Sequence, residues 1–284
     1  MAYSAAKLIT CTFPAPHVLV IALARNPVNA YNDDLARELQ LHLETASHDP
    51  DVRAVVLTSE CDKGFTAGLD LFAAGTLSHK SADPARTALH IRSHMDFLQR
   101  SVSAIQACDK PVIAAVHGIC FGAGLDLISA CDVRLCAEGT VFSIKEVDIG
   151  LAADIGSLQR LPLVTSNASL LYELALTART FGPAEAEKLG LVSRTVGGKS
   201  VEGVRREAVE LAKVIAGKSP IATLSTKHLL NYSREHTVHE GLQYTQAWNM
   251  GMVQADDVPA AIQGFTLKKP PVFEPLSEKL RSKL

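Results

Sequence analysis

The 284-residue sequence predicts an α/β fold whose last third is entirely helical. Short and nearly continuous apolar runs, rich in β-branched residues, alternate with stretches of helical periodicity as far as about residue 200. Such runs are typical of strands that are buried on both faces of a largely parallel sheet. Only helical patterns follow residue 200, so we expect a layered α/β core with a helical C-terminal part.

The first quarter of the chain predicts two strands and one helix. The run HVLVIALA at residues 17–24 is apolar throughout and predicts a buried strand. Leucines with helical spacing then predict a helix over 32–47, and RAVVLTS at 53–59 predicts the second strand. The glycine-containing stretch 64–68 that follows has the composition of a loop.

The second quarter repeats this alternation. Residues 84–108 predict one long helix that begins with a proline in its first turn. PVIAAVH at 111–117 predicts a third strand, 124–130 a short apolar helix, and 133–137 a fourth strand. Further along, helical patterns cover 201–217, 220–232, 237–253 and 258–265.

Composition excludes several classes of protein. Hydrophobic residues make up 47% of the chain and charged residues 20%, as in ordinary globular proteins. The net charge of −2 and the lack of a strong basic run argue against a nucleic-acid partner. We expect no membrane span, because no apolar run is long enough. Six cysteines without a C-x-x-C pair predict neither a disulfide framework nor a metal site.

Three acids in apolar surroundings mark the expected site of chemistry. Glu146 and Asp154 lie in IKEVDIGLAADIG, residues 144–156, and Asp126 lies upstream in GAGLDLISA. Burying a carboxylate without a partner or a task is costly, so these positions are candidates for catalysis. Asp148 would face away from Glu146 if the segment is extended, and we expect it to be a structural or ion-paired acid.

Other polar residues have simpler interpretations. We expect Asp132 to be a turn or capping residue at the start of the fourth strand. Asp70 is expected to cap a following helix by binding backbone N–H groups. His117 ends a buried strand, and a hydrogen-bonded core histidine is favoured over a catalytic one.

Three stretches together carry a resemblance to a known family. They are FTAGLDL at 65–71, VHGICFGAGLDLISACD at 116–132 and FSIKEVDIGLAADIGSLQRLP at 142–162. They resemble the enoyl-CoA hydratase/isomerase (crotonase) superfamily, and within it the dienoyl-CoA isomerases, over about residues 15 to 270. The resemblance implies a crotonase-like spiral core of repeated β-β-α units, an acyl-CoA thioester as substrate, and no metal or redox cofactor.

The resemblance also implies a division of the chain. Residues 1–200 would form the core with the active site, and 201–270 would form a helical region that builds a homotrimer or a dimer of trimers. Residues 271–284 would be a tail that ends in Ser282, Lys283 and Leu284. A C-terminal S-K-L is read by the peroxisomal import receptor, so we expect a peroxisomal matrix protein with that receptor as a partner.

An oxyanion hole is implied at the backbone N–H groups of Leu69 and Ala123. Proton removal beside a thioester produces an enolate, whose oxygen needs hydrogen-bond donors that are already fixed in place. Both residues follow a glycine and precede an apolar stretch, where the N–H groups of a helix N-terminus are available. The family usually has glycine at position 123, so the alanine adds a Cβ near the thioester. Neighbouring residues expected to bind substrate are Ala67, Gly68, Gly122 and Gly124.

Moving a conjugated diene from the 3,5 to the 2,4 position explains why two acids are needed. A proton leaves C2 and another joins C6, about 5 Å away in an extended chain with bonds of about 1.5 Å. Two separate carboxyls are required, and Glu146 and Asp154 meet this need. By resemblance, Glu146 matches an acid of hydratases, and Asp154 stands where hydratases have a small residue. Asp126 matches the second hydratase glutamate but is one methylene shorter, and we expect it to orient or tune the pair.

Several alternatives stay open at this point. The sequence does not fix which acid takes the C2 proton, although we favour Asp154 as base and Glu146 as acid. An enoyl-CoA hydratase, a delta-3-delta-2-enoyl-CoA isomerase and a non-catalytic acyl-CoA-binding subunit are the competing functions. The cations Arg25, Lys268 and Lys269 are candidates for contacts to CoA phosphates, with a solvated surface as the equal alternative.

Overall fold

The computed structural model describes Tyr3, residues 7–71 and residues 83–276, and its strands form two sheets. The larger sheet has six strands in the order β1-β2-β3-β5-β7-β9, and the smaller one has the order β4-β6-β8. The strands are β1 Ile9–Ala15, β2 Val18–Leu23, β3 Ala54–Ser59, β4 Gly64–Thr66, β5 Val112–Val116, β6 Ile119–Phe121, β7 Val133–Ala137, β8 Val141–Ser143 and β9 Arg194–Val196.

The four strands predicted from apolar runs are confirmed as β2, β3, β5 and β7. They lie side by side and parallel, and β1 pairs antiparallel to β2 at the edge. Every residue of β2, β3 and β5 is buried, because helices cover both faces of the sheet. Alternate residues of β2 therefore enter two different cores, with Leu19 in one and Val20 in the other.

The smaller sheet was missed in the sequence. Residues 64–66 were expected to be a loop and instead form β4, which pairs parallel with β6, and β6 pairs parallel with β8. Each of these strands has only three residues, which is too short for a periodic pattern. Each also follows a strand of the larger sheet within a few residues, so β5, β6 and the next helix form a β-β-α unit.

Ten α-helices lie in the described part of the chain. They are α1 Asp33–His48, α2 Pro84–Ala107, α3 Ala123–Ser129, α4 Ser157–Val164, α5 Ala168–Thr177, α6 Pro183–Leu189, α7 Val201–Ala216, α8 Pro220–Ser233, α9 Val238–Met252 and α10 Asp257–Leu267. The predicted helices are confirmed to within a few residues at their ends. The sequence interpretation did not identify β1, β9, α4, α5 or α6.

The first helix of the C-terminal region belongs to the core. Helix α7 buries Val204, Ala208 and Ala212 against Val56 and Ile113 on one face of the larger sheet. Helices α8, α9 and α10 are more exposed and present many large apolar side chains to solvent. The chain end with Ser282, Lys283 and Leu284 lies outside the described residues.

No helix in residues 7–71 or 83–276 combines the length and the apolar character that crossing a bilayer requires.

Candidate active site

A cavity of about 650 Å³ lies between the ends of β4 and β6, helix α2 and residues 145–155. Its wall is mostly apolar and includes Leu71, Ile91, Met95, Leu98, Phe121, Ile149, Leu151 and Ile155. The polar residues of the wall include Glu146 and Asp154. Such a cavity fits a hydrocarbon chain that carries one reactive polar group.

One side of the cavity is a turn that follows β4. Ala67, Gly68 and Leu69 all line the cavity there. The Gly68 N–H donates to Thr66 Oγ1 at 3.1 Å, and the Asp70 N–H donates to Tyr31 O at 2.9 Å. Within the described residues, the amides on both sides of Leu69 already have acceptors. The N–H of Leu69 is therefore the donor at this turn that a ligand can use.

The turn after β6 lies directly beside the first one. Gly68 has a φ of 98°, and a Cβ built on it would lie 3.0 Å from Phe121 O and 3.7 Å from Ala123 N. Ala123 is the first residue of α3, where backbone N–H groups have no partner within the helix. The structure therefore brings the N–H groups of Leu69 and Ala123 to adjacent turns, as an oxyanion hole requires.

The glycines of the second turn have different tasks. Gly122 has a φ of 49° and lines the cavity, and a Cβ on it would lie 3.2 Å from Glu146 Oε1. Gly124 is not part of the cavity wall, contrary to the expected substrate contact. A Cβ on Gly124 would lie 2.8 Å from Thr66 Cγ2 and 2.9 Å from Cys120 Sγ, so this glycine allows α3 to pack closely on the small sheet.

Glu146 lines the cavity beside the second of these turns. It begins a short 3₁₀ helix, Glu146–Ile149, and its carboxyl lies next to Gly122. Its Oε2 is buried and has no hydrogen-bond partner among the described residues. Burial, together with the nearby carboxyls of Asp126 and Asp154, raises the pKa of Glu146 to about 7. A carboxyl of this kind exchanges protons readily near neutral pH.

Asp126 lies behind the cavity wall rather than in it. Its side chain is fully buried on α3, and Oδ1 accepts hydrogen bonds from Ser157 N at 2.5 Å and Ser157 Oγ at 2.6 Å. Burial raises the pKa of Asp126 to about 6, although the bonds from Ser157 oppose this. Asp126 is therefore absent from the cavity wall, but its charge raises the pKa of Glu146.

Asp154 completes the acidic side of the cavity. It lines the same cavity as Glu146, and the 3₁₀ helix and residues 150–153 separate the two acids along the chain. Its backbone carbonyl accepts a hydrogen bond from Gln99 Nε2 at 2.7 Å. Partial burial raises the pKa of its carboxyl. The structure thus brings both expected proton carriers to one apolar cavity.

Asp148 differs from its expected orientation. The segment is helical and not extended, so Asp148 lies on the same cavity as Glu146. Its Oδ2 pairs with Lys145 Nζ at 2.7 Å, and both side chains are exposed. The expected ion pair is present, but the geometric reason we gave for it was wrong.

None of the three candidate phosphate-binding cations lines the cavity, and their contact to CoA phosphates stays a prediction. Arg25 donates to Asp70 Oδ2 and to Ala30 O, both at 2.7 Å, so its guanidinium supports the first oxyanion turn. Asp70 is therefore an ion-pair partner, and the helix that it was expected to cap lies outside the described residues. Lys268 and Lys269 follow α10, and neither lines the cavity.

One further acid, Asp132, and one further base, His117, make structural contacts. Asp132 accepts from Val112 N at 2.7 Å and pairs with Lys227 at 2.8 Å, in a largely buried contact that ties α8 to the larger sheet. His117 is buried, and its Nε2 lies 3.0 Å from Cys61 O. Burial lowers the pKa of His117, which favours the neutral ring.

Sequence reasoning missed several residues around the cavity. His94 on α2 lines it and pairs with Asp33 at 2.7 Å, and Lys145 lies at its edge. No pattern in the sequence indicates that α2 covers the site. The contact of Ser157 with Asp126 could have been predicted more easily than those of α2. A Gly-Ser pair at the start of a helix offers an N–H and a hydroxyl to a buried acid.

Comparisons with known proteins identify the family of this chain. The family model described as Enoyl-CoA hydratase/isomerase matches residues 15–275. The human mitochondrial Delta(3,5)-Delta(2,4)-dienoyl-CoA isomerase is 47% identical over 256 residues, which is 89% of this chain and 77% of that protein. The peroxisomal enzyme of the same name from Arabidopsis thaliana is 42% identical over 252 residues, 88% of this chain and 89% of that protein.

A solved structure shows the same architecture. The enoyl-CoA hydratase from Bacillus anthracis superposes with a TM-score of 0.85 at 28% identity, covering 94% of this chain and 99% of that one. This likeness confirms the predicted crotonase-like α/β fold, and the family match extends over nearly all of the described residues. On this basis, the chain belongs to the enoyl-CoA hydratase/isomerase family.

Proposed function

We propose that this protein is an isomerase that converts 3,5-dienoyl-CoA to 2,4-dienoyl-CoA in the oxidation of unsaturated fatty acids. The observation that carries the proposal is the presence of a second acid, Asp154, on the same apolar cavity as Glu146. Relatives that carry this activity in their names are 42% to 47% identical over most of the chain, and they bear out the predicted function.

The oxyanion turns would bind the thioester oxygen of the substrate. When a proton leaves C2, negative charge moves to that oxygen and is stabilised by the N–H groups of Leu69 and Ala123. Both donors are fixed before the reaction, because each turn is held by buried backbone hydrogen bonds. Removal of one such donor lowers kcat about 10²- to 10³-fold in other enzymes.

Glu146 is the acid that we assign to C2. C2 is bonded to the thioester carbon, so its proton lies close to the oxyanion hole, and the Glu146 carboxyl lies next to Gly122. This position leads us to reverse the order favoured from the sequence, in which Asp154 was the base. Glu146 would take the C2 proton, and Asp154 would donate a proton to C6 about 5 Å along the acyl chain.

The two carboxyls would share one proton between them. Both have raised pKa values, and each ionised carboxyl disfavours ionisation of the other. The state with Glu146 ionised and Asp154 protonated starts the reaction, and one turnover leaves Glu146 protonated and Asp154 ionised. The charge is balanced and no electrons are gained or lost, so we propose that no cofactor takes part and that CoA enters only as part of the substrate.

A hydratase would need a different arrangement. Addition of water requires a second group that holds the attacking water beside Glu146. Asp126 stands at the matching position, but it is fully buried, bound to Ser157 and absent from the cavity wall. The geometry therefore favours isomerisation over hydration. A purely binding role is also disfavoured, because a buried and unpaired Oε2 on Glu146 is costly without a catalytic task.

The test is a pair of absorbance assays on the purified protein. With a 3,5-dienoyl-CoA we expect growth of the conjugated 2,4-dienoyl thioester signal, and Asp154→Asn should reduce it by about 10³-fold while CoA-ester binding persists. A 2-enoyl-CoA assayed in parallel should be hydrated slowly or not at all. Rapid hydration without any dienoyl signal would contradict the proposal.

We further propose that the protein is imported into the peroxisomal matrix by the receptor that reads Ser-Lys-Leu. The tripeptide at Ser282, Lys283 and Leu284 supports this, as does the peroxisomal name of the Arabidopsis relative, whereas the human relative is mitochondrial. A fluorescent protein fused before residue 1 should label peroxisomes, and deletion of the tripeptide should disperse the label. Mitochondrial labelling by both fusions would contradict this proposal.

We also propose that the protein forms a homotrimer or a dimer of trimers through its C-terminal helices. Large apolar side chains are exposed on α9 and α10, among them Leu242, Met250, Ile262 and Phe265, the last at 88% exposure. Exposed apolar surface of this extent is typical of an interface between subunits. Light scattering should give a mass of three or six chains, and replacement of Phe265 by Asp should lower it.

A further inference from the structure

A row of polar side chains on α2 contacts the backbone of Asp154 and the side chain of Arg160 on α4. Gln99, Ser103 and Gln106 are spaced by four and three residues, so they lie on one face of the helix. Gln99 Nε2 donates to Asp154 O at 2.7 Å. Ser103 Oγ accepts from Arg160 Nη2 at 2.8 Å, and Gln106 Oε1 accepts from Arg160 Nε at 3.0 Å.

Arg160 in turn lies against the backbone of the same segment. Gly156 has a φ of 144°, and a Cβ built on it would overlap Arg160 Nη1. The guanidinium thus occupies the space that any other residue at position 156 would fill with its side chain. The same Cβ would lie 3.9 Å from Asp126 Oδ1, so Arg160 is also close to the buried acid behind Glu146.

Residues 154–157 are therefore held at three points by three different helices. Gln99 on α2 holds the carbonyl of Asp154, Arg160 on α4 covers Gly156, and Asp126 on α3 binds both the N–H and the hydroxyl of Ser157. Irregular backbone between a 3₁₀ helix and α4 has few internal hydrogen bonds to fix it. These outside contacts decide where the Asp154 carboxyl lies.

The charges around Asp126 include both signs: Asp154 raises its pKa and Arg160 lowers it. Asp126 is faced by Asp154, Glu146, Tyr31 and Arg160, and Arg160 is the cation among them. Burial lowers the pKa of Arg160 and Asp126 raises it, but the guanidinium stays charged at any physiological pH. Glu235 follows the end of α8 and faces Arg160. Arg160, Arg234 and Gln159 line one groove on this side of the molecule.

We propose that Arg160, together with the α2 row of Gln99, Ser103 and Gln106, positions Asp154 for proton transfer at C6. This inference rests on the proposed isomerase function. None of the four side chains has to touch substrate, so they are positioning residues and not catalytic ones. Their loss should affect the step at C6 and leave the step at C2 largely unchanged.

The experiment measures the two steps separately in D₂O. Deuterium entering C2 of recovered 3,5-dienoyl-CoA reports proton removal and return by Glu146, and growth of the 2,4-dienoyl signal reports completion through Asp154. For Gln99→Leu and Arg160→Gln we expect isomerisation to fall about ten-fold while C2 exchange stays within about two-fold. Compared with Arg160→Gln, Arg160→Lys should recover part of the lost rate, because lysine keeps the positive charge and one donor nitrogen.

Matched controls come from the same groove. Gln159 and Arg234 line the groove beside Arg160. Gln159→Leu removes an amide, and Arg234→Gln removes a positive charge. Neither control should change the ratio of isomerisation to C2 exchange by more than about two-fold. Circular dichroism checks that each variant is folded, and Gln99→Leu decides the test if Arg160→Gln does not fold.

The outcomes separate this inference from the proposed function. A proportional fall of both rates in Gln99→Leu, or no change in either rate, would overturn the positioning role. If the wild-type protein itself does not isomerise 3,5-dienoyl-CoA, the proposed function fails. If the wild type isomerises, Asp154→Asn loses isomerisation and Gln99→Leu keeps the wild-type ratio, only the positioning role fails.

Discussion

The two walls of the cavity are built in contrasting ways. The oxyanion wall consists of backbone N–H groups on two glycine turns that follow strands β4 and β6 of the small sheet. The acidic wall consists of side chains on a short 3₁₀ helix and on irregular backbone, most of it exposed. One wall depends on close packing of the main chain, and the other depends on charges whose state changes with pH.

This difference indicates how each wall responds to substitution. A backbone donor cannot be removed by changing its own side chain, but it can be displaced by a Cβ added nearby. A carboxyl can be neutralised without changing its shape, because Asn and Gln have the same shapes as Asp and Glu. The oxyanion wall is therefore probed by adding volume, and the acidic wall is probed by removing charge.

Neutralising Glu146 should have the largest effect. Glu146→Gln keeps the shape of the side chain but cannot accept the C2 proton, so we expect kcat to fall by about 10³- to 10⁴-fold. Deuterium exchange at C2 should fall to the same extent, unlike in Asp154→Asn, where exchange should persist. Equal retention of C2 exchange in both variants would refute the assignment of Glu146 to C2.

Adding one carbon to the oxyanion wall should have the next largest effect. In Gly68→Ala the new Cβ would lie 3.0 Å from Phe121 O at a φ of 98°, so the two turns must separate. We expect isomerisation and C2 exchange to fall together by about 10²-fold, since both steps need the oxyanion hole. Gly198→Ala is the control, because Gly198 has a φ of 85° but no atom within 4 Å of the added Cβ.

The pH profile should show the influence of Asp126 on Glu146. The active state holds one proton between Glu146 and Asp154, so the rate should rise with pH as the pair loses its first proton and fall as it loses the second, near the Glu146 pKa of about 7. The charge of Asp126 raises that pKa, and Asp126→Asn removes it, so the fall should move to lower pH by about one unit. Asp148→Asn also removes a carboxyl near the cavity and should leave the profile in place. An unmoved profile in Asp126→Asn would argue against coupling by charge.

The raised pKa of Glu146 also has a consequence for stability. Its folded pKa of about 7 exceeds its ordinary value of 4.5, so its contribution to stability is present below pH 4.5 and is lost as pH rises through 7. Glu146→Gln does not titrate, and at pH 8 it should exceed the wild type by about 1 to 2 kcal/mol in the free energy of unfolding. Urea denaturation at pH 8 and pH 4.5 checks this, and at pH 4.5 the difference should vanish.

The smallest effect should come from Asp148→Asn. Asp148 pairs with Lys145 at 2.7 Å, but both side chains are exposed, and exposed ion pairs contribute about 0 to 1 kcal/mol. We expect kcat/KM to change by less than about two-fold and stability by less than about 0.5 kcal/mol. A large loss of activity would show that Asp148, a third acid of the cavity, takes part in the reaction.

Much of the fold could be predicted from the sequence, and the reasons are physical. Strands β2, β3 and β5 are buried on both faces, so their apolar runs are unbroken and easy to recognise. The strands of the small sheet have three residues each and owe their structure to pairing with distant partners. No local pattern can indicate such strands.

The site could be predicted only in part. Glu146, Asp154 and the turn glycines stand out because acids and glycines are unusual in apolar segments. The contacts of Gln99 and His94 depend on how α2 lies across the cavity, and the spacing of residues within a helix does not contain that information. Asp148 was misjudged because the segment was treated as extended, whereas it forms a 3₁₀ helix that ends at Gly150 with a φ of 76°.

The register of the small sheet sets the order in which the protein can acquire its activity as it folds. Gly64 pairs with Ile119, about 55 residues away along the chain, so the small sheet forms only when distant segments meet. Contacts between such distant residues form slowly, because a long loop must first be closed. The helices can therefore regain their circular dichroism signal while the oxyanion hole does not yet exist. During refolding, catalytic activity is then the last signal to return.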